Sequence, residues 1–577
     1  MGFLRPDLPV WDMSQWSAGS RSERIRPAAA HLARRGFGVP DALYVFYVTK
    51  IVLYVLGGIG VALASTGVDG FTAIGSWWSE PIVFQKIVVF SLLFEVLGLG
   101  CGFGPLNNRY FPPMGSPLYW LRPGTIRLPP WPRIPLTAGT ARTPFDVLLY
   151  AALLGAAVWA LFSDGTGPVT ALDTTVGVLP VTPVAVMLGV LFVLGLRDKV
   201  IFLACRGEVY ATLSVTFLFG AVDMIVAAKL IFLVIWVAAA TSKVNPHLPF
   251  VMSTMLSNSP TIRPTAIKKR FFRSYPDDLR PSRLSASIAH AATAVEMAVP
   301  LVLFFSGGGI VTTAAAGVMI AFHLGILSSI PMGAPLEWNV FMIIGIGILF
   351  VGHAETGLGD VSQPIPVFGL FAVVVAVVVL GNLFPDKVSF LPGMRYYAGN
   401  WDTTMWCMKP SASAKLTGGV KTIAIMPQAQ LEKMFGPEQA VIQQHLGYAF
   451  RAMNTHGRAL FTLVHRALAD ADESEYVIVD GERICSTAIG WNFGDGHLHN
   501  ETLIAALQER CAFDPGEVRV ILLDAQPIHR RTQQYRLVDP ATGEFERGSI
   551  RVADMVDAQP WADDLPVQVQ SGTSPTR

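Results

Sequence analysis

Charge is what this sequence has least of: only 15% of its 577 residues are Asp, Glu, Lys or Arg. Soluble domains carry about a quarter, so the shortage points away from a soluble class and toward a membrane one. It is also uneven. Nearly all the long apolar runs fall between residues 42 and 384, whereas 385–577 has soluble composition. The 43 basic and 42 acidic residues leave a net charge of +1, without the basic field that a nucleic-acid binder needs. Cysteine is scarce. Cys101, Cys205, Cys407, Cys485 and Cys511 are odd in number and lack CxxC spacing, which argues against a disulfide framework or a cysteine zinc site and fits a reducing compartment. No cleavable signal is expected, because about forty polar and basic residues precede the first apolar run. Pro6 follows Gly2 where myristoylation would want Ser or Thr.

What is present in abundance is apolar sequence long enough to cross a bilayer, which takes about 20 residues per helix. Ten stretches qualify: 42–66, 82–103, 145–163, 178–196, 198–219, 220–242, 286–306, 308–330, 333–353 and 363–384. The fifth is the weakest, with Arg206 and Glu208 near its middle. Loop charges test the count. The N-terminal segment holds six arginines, 104–143 holds five and 243–285 holds eight Lys or Arg, while 67–81, 164–177 and 354–362 hold none. With ten spans every basic loop falls on one side, which the positive-inside rule makes cytoplasmic. The expectation is therefore a polytopic α-helical bundle of the inner (plasma) membrane, both termini cytoplasmic, followed by a small α+β soluble domain. Its divisions are a segment 1–41, a bundle 42–384, a domain 385–561 and a disordered tail 562–577. Residues 20–35 predict an amphipathic helix on the membrane surface, with Ile25, Ala29 and Leu32 near one face. The 104–143 stretch, rich in proline and aromatics, predicts a lid over the cytoplasmic mouth of the bundle. The run Arg263, Lys268, Lys269, Arg270, Arg273 offers a grip for anionic headgroups, although topology alone demands positive charge there.

Ionisable residues at membrane depth cost roughly 2.5–3.5 kcal/mol each on insertion scales and are functional candidates by default. This chain places Lys50, Lys86, Glu95, Arg206, Glu208, Asp223, Lys229, His290, Glu296, His323 and Glu337 there. Arg206 and Glu208 are two apart, and Asp223 and Lys229 six apart. Neither spacing lets side chains meet on one helix, so partners are expected on other helices around a polar cavity.

Beyond residue 384 the pattern changes. Residues 437–468 and 501–510 read as helices, 476–480, 518–524 and 535–539 as strands, and 541–544 as a turn. Between them lies Gly490-Trp-Asn-Phe-Gly494-Asp495-Gly496-His497-Leu-His499-Asn500-Glu501. In extended chain Asp495, His497 and His499 share a face and form a partial metal set, with His529 or Glu501 as a fourth ligand. Alternatively, Gly494, Gly496 and the N-cap Asn500 offer amides to a phosphate or carboxylate cofactor. A plain turn before a capped helix is the third reading.

Two resemblances add to this. Trp236-Val-Ala-Ala-Ala-Thr-Ser-Lys243-Val-Asn245, with Glu296 before Pro300 and His323 in Phe322-His-Leu-Gly-Ile, resembles the vitamin K-dependent gamma-carboxylase and horizontally transferred transmembrane-domain group over roughly 145–350. That resemblance implies Lys243 as a catalytic base served by Glu296 and His323. The chain departs from the group at Ala240, where a glycine is usual, and after Asn245, where a tryptophan is missing. MGFLRPDLP together with GWNFGDGHLHNE is similar to an uncharacterised actinobacterial transmembrane family over the whole chain. Three functions remain open: an enzyme acting on a lipid or quinone-like substrate, an ion-coupled carrier, and a scaffold recruiting a soluble partner. No internal repeat or matched pair of broken helices favours the carrier.

Overall fold

The computed structural model describes residues 2–329, 335–494 and 496–572. An N-terminal helix, α1 (Arg21–Arg35), starts on a Ser20–Glu23 capping box. The apolar helices follow: α2 (Asp41–Leu63), α3 (Pro81–Val96), α4 (Pro144–Leu161) and α5 (Val181–Arg197). Two short helices, α6 (Lys199–Ala204) and α7 (Tyr210–Thr216), lead into α8 (Ala221–Lys243) and α9 (Leu248–Asn258). A hairpin at 272–281 precedes α10 (Arg283–Phe305), α11 (Gly309–Ser329), α12 (Leu336–Gly345, continued by a π-helix at Ile346–Gly352) and α13 (Pro364–Leu383).

Six of these helices, α2, α4, α8, α10, α11 and α13, are long and apolar enough to cross a membrane. Their faces differ. Residues of α8 are 83% buried, against 17–28% for α2, α10, α11 and α13. A helix apolar on every side and buried on every side is a bundle centre, and α8 is that centre. The peripheral helices leave Val52, Leu56, Val302, Phe305, Ile365 and Val373 exposed. Such a belt would be an aggregation hazard in water and is what lipid contact requires.

The stretch expected as a fifth span is not one helix. Between α6 and α7 the backbone breaks, Arg206 takes φ +54, and its Nε donates to Glu208 Oε1 at 2.7 Å. This corrects the expectation that these two must find partners elsewhere: the helical spacing rule does not apply because the chain is not helical there. Asp223 and Lys229 do reach elsewhere. Asp223 accepts from the Ser362 and Gln363 amides at 2.7 and 3.0 Å, and Lys229 donates to the His353 and Thr356 carbonyls. His290 lies on the exposed face of α10.

Hydrogen bonds gather the three base-free loops at one end of the bundle. Thr66 N–H donates to Asp164, Thr175 to Glu80, and His353 bonds Ser79 O. At the other end Arg142 pairs with Asp198 at 2.7 Å, and Lys199 donates to His497 O. The broken segment α6–α7 runs between those ends.

The C-terminal region carries α14 (Pro427–Phe435), α15 (Pro437–Met453), α16 (Thr455–Ala467), α17 (Gly481–Ala488) and α18 (Glu501–Cys511). Its sheet holds β1 (Thr403–Met408), β2 (Val477–Asp480), β3 (Val518–Leu523), β4 (Thr532–Asp539), β5 (Gly543–Arg551) and β6 (Val567–Gly572) in the order β2-β1-β3-β4-β5-β6, all antiparallel. Trp406 sits opposite Val479 and Val520. Strand β6 corrects the expected disorder of the tail at 567–572, where pairing with β5 supplies the order that composition lacks.

This region is not set apart from the bundle. One hydrophobic core runs from Val88 and Leu92 through Trp120 to Trp406, Ile484 and Trp491. Tyr119 donates to Thr487 O at 2.6 Å and Ser116 to Gly490 O at 2.7 Å, so the 104–143 segment is clamped beneath α17. Helix α1 does not turn its apolar stripe outward either. Ile25 joins the sheet's core, and Ala28, Ala29 and Leu32 pack on Phe271, Phe272, Leu446 and Ala449. Its apolar stripe is already covered by protein.

Candidate functional site

Three places gather chemistry. The largest is a cavity of about 570 Å³, well within the range of small-molecule sites. Its walls are apolar and come from distant parts of the chain: Leu4 and Phe37, Phe46 on α2, Phe111 in the clamped segment, Val251 on α9, Leu446 on α15 and Phe493. One end is charged, with Arg451, Asp480, Glu482 and Arg483 in the lining. Asp480 caps α17 by accepting from the Glu482 amide, which fixes both acids at the helix start. Arg451 reaches both, at 2.5 Å to Asp480 Oδ2 and 2.8 Å to Glu482 Oε1. Burial works against the Asp480 charge, but the Arg451 guanidinium holds that carboxyl below its ordinary value. Burial, aided by Asp480, pushes Glu482 up. Two neighbouring carboxyls driven apart in this way can serve as anion and proton donor. His456, accepting from Arg451, is kept neutral by burial and that cation.

The second place is a polar cleft of about 420 Å³ beside the sheet, lined by Asp402, His497, Asn500, Asp524 and Arg536 among others. His497 Nε2 lies 3.0 Å from Pro385 O and 3.2 Å from Asp402 Oδ2. Burial and the Asp402 and Asp386 carboxylates raise Asp524 from 3.8 to about 7, while Asp402 is held low, chiefly by His497, against its own burial. The folded chain thus holds a proton on Asp524 that the unfolded chain has already lost. Between 3.8 and about 7 stability therefore falls as pH rises, and the full loss is present above that window. Asp524→Asn is expected to flatten this slope in chemical-denaturation curves taken across the window. An unchanged slope would place the titration on another group.

The residues singled out in the sequence are divided among these sites. Gly494, at φ +67, lines the large cavity, and Gly496 and Asn500 line the polar cleft. Asn500 caps α18 through the Thr502 amide. Asp495 lies outside the described residues. Residues 496–498 wind a 3₁₀ turn instead of running extended, so His497 and His499 do not share a face. His499 Nδ1 bonds Thr404 Oγ1 at 2.6 Å, and burial lowers its pKa to about 3.

The third place is at the exit of α8. Lys243 Nζ meets both oxygens of Glu296, at 2.8 and 2.6 Å, in a largely buried pair. The depth of Glu296 in its helix suggests His323 as the easier partner for Lys243, but the lysine reaches the carboxylate instead. His323 accepts from Trp236 Nε1 at 3.1 Å and bonds Asn339 Oδ1 at 2.8 Å through Nδ1. Since the Asn339 amide donates to Pro335 O, its oxygen accepts and His323 carries its proton on Nδ1.

Arg451, Asp480 and Glu482 are not legible as a group in the sequence. A basic residue in the last turn of a helix and a D-G-E start are visible, but nothing in the order of residues brings them together.

A belt of lipid-facing helices around a buried centre, joined to a sheet through one core, defines a polytopic integral membrane protein. The chain belongs to a family described as transmembrane protein of unknown function (DUF3556), matched over residues 1–570. No curated protein and no solved structure gave a significant match.

Proposed function

We propose that the protein is a membrane-embedded enzyme for a lipid or quinone-like amphiphile, with the tail in the 570 Å³ cavity and the head at Arg451 and Arg483. The observation that carries this is one cavity joining apolar walls to a charged end. Phe46 on α2 and the exposed Phe111 border it, giving an amphiphile a way in from the lipid side. Glu482 is the proton donor at the head and Asp480 the fixed anion. Mass spectrometry of small molecules retained by the purified full-length protein is expected to find one amphiphile enriched over bulk lipid. Retention of bulk lipid alone would overturn the reading.

Lys243, Glu296 and His323 form a second proton-handling group on this reading, with Glu296 as the residue that takes or returns the lysine proton. Lys243→Arg keeps the charge but cannot deprotonate, so it separates a base from an ion-pair anchor. The polar cleft, holding Gly496, His497 and Asn500, suits a polar or anionic cosubstrate.

The same proposal places the protein in the plasma membrane with ten crossings and both termini cytoplasmic. In support, the broken segment α6–α7 links the two ends of the bundle and is almost wholly buried, the condition under which irregular backbone is tolerated at membrane depth. Single cysteines replacing Gly70, Pro168 and Leu358 are expected to react with an impermeant reagent from outside, and those replacing Arg122 and Arg270 only after lysis. External labelling at position 270 would overturn the ten-span arrangement.

A further inference from the structure

Behind the wall of the large cavity lies a buried group that neither the cavity nor the Lys243 pair uses. Glu95 near the end of α3, Cys101 just beyond it and Glu337 at the start of α12 bring ligand atoms within 4.8 Å of one another. They are 1%, 0% and 1% exposed. Cys101 donates its amide to Glu95 Oε2 at 2.8 Å and its thiol to Oε1 at 3.2 Å. Glycine at position 100 permits this approach, since a Cβ there would fall 2.0 Å from Glu95 Oε2. Glu337 Oε1 is buried without a hydrogen-bond donor among the described residues, although Oε2 meets Lys50 at 2.9 Å.

Three buried carboxyl groups, Glu95, Glu337 and the adjoining Glu208, face two buried cations, Lys50 and Arg206. The buried Glu337 Oε1, without a donor among the described residues, is the atom that a guest cation would meet first.

We infer that Glu95, Cys101 and Glu337 bind one borderline-soft divalent cation of the zinc type. Zinc accepts thiolate sulfur at about 2.3 Å and carboxylate oxygen at about 2.0–2.2 Å, which sets tetrahedral ligands about 3.5 Å apart. The 3.2 Å between Cys101 Sγ and Glu95 Oε1 opens to that with a small shift. Binding takes up the cation and releases the Cys101 proton to solvent. The two cations of the cluster then act as orienting donors. Arg206 Nη1 lies 3.3 Å from Cys101 Sγ, Lys50 holds Glu337, and the Cys101 amide holds Glu95. Such outer donors fix ligand geometry. Three protein ligands leave a fourth position open.

The test is metal analysis of the full-length protein in detergent, as purified and after loading with zinc or cobalt(II) and removal of excess. About one zinc per chain is expected, falling about tenfold or more in Cys101→Ser and in Glu337→Gln and unchanged in Cys205→Ser. Cobalt-loaded wild type is expected to show a sulfur-to-cobalt absorption band, which reads the thiolate even if the variants fold poorly. Wild type that retains neither metal, or retains cobalt without that band, overturns the assignment. So does a Cys101→Ser protein with undiminished zinc.

Discussion

Arg206→Met is expected to destabilise the protein by about 3–5 kcal/mol, the range for stripping one partner from a buried ion pair. Arg206 is 1% exposed and is the only cation that the Glu208 carboxylate meets among the described residues. Its guanidinium also lies 4.6 Å from the centre of the Trp338 ring and 5.4 Å from that of Tyr396, so truncation removes packing as well as charge. Glu208 would retain only the Tyr396 hydroxyl at 3.2 Å. The comparison is Arg551→Met, whose pair with Asp554 is exposed and worth at most about 1 kcal/mol. Changing Glu208 to Met along with Arg206 is expected to recover much of the loss, since a buried pair replaced by apolar side chains is often neutral. Thermal unfolding in detergent measures all three. Equal shifts for the Arg206 and Arg551 variants would mean that the break between α6 and α7 is open to water.

The second large effect is expected from filling the cavity. Gly447 lines it from α15, and a Cβ there meets only Arg483 Nη2, at 3.4 Å. Gly447→Phe therefore grows into the space and not into the core. Helix propensity favours the change by roughly 0.3–0.5 kcal/mol, so a folded protein is expected. Retained amphiphile should fall about tenfold or more, since a phenyl ring beside Arg483 takes the space of the bound head and the start of its tail. Apparent melting temperature should then drop toward that of delipidated wild type, because a ligand that binds only the folded state stabilises it by mass action. Undiminished retention would move the amphiphile elsewhere.

The sequence made some of this legible and hid the rest for physical reasons. Long apolar runs mark the helices able to cross the bilayer, because spanning it takes some 20 such residues together, but they do not separate the buried centre α8 from the lipid-facing helices. They do not mark the break at Arg206, since the same residues serve a buried irregular segment. The amphipathic stripe of α1 is visible at Ile25, Ala29 and Leu32, but periodicity records only that a face is covered. Here α15 and the hairpin cover it, not lipid. Strands 476–480, 518–524 and 535–539 stand out through β-branched and aromatic residues. Thr403–Met408 does not: like Val518–Leu523 it is buried on both faces and shows no alternation, but its Met and Cys residues lack the β-branched run that marks 518–523. Lys243 and Glu296, legible in the sequence as one group, meet in the fold, whereas the 3₁₀ turn takes away the shared face that extended chain would give His497 and His499. The large cavity leaves no sequence signal. Leu4, Phe111, Leu446 and Glu482 line it together only in the folded chain, with Phe111 carried in by the segment clamped under α17.

The most direct test is an electron cryomicroscopy map of the wild-type protein in nanodiscs made from lipids of its native membrane. An amphiphile-binding enzyme predicts elongated density running from Phe46 and Phe111 to a head within hydrogen-bond reach of Arg451 or Arg483, and its absence from the Gly447→Phe map. A well-resolved wild-type map with the cavity closed by its own side chains, or filled only by water-sized features, would contradict the account.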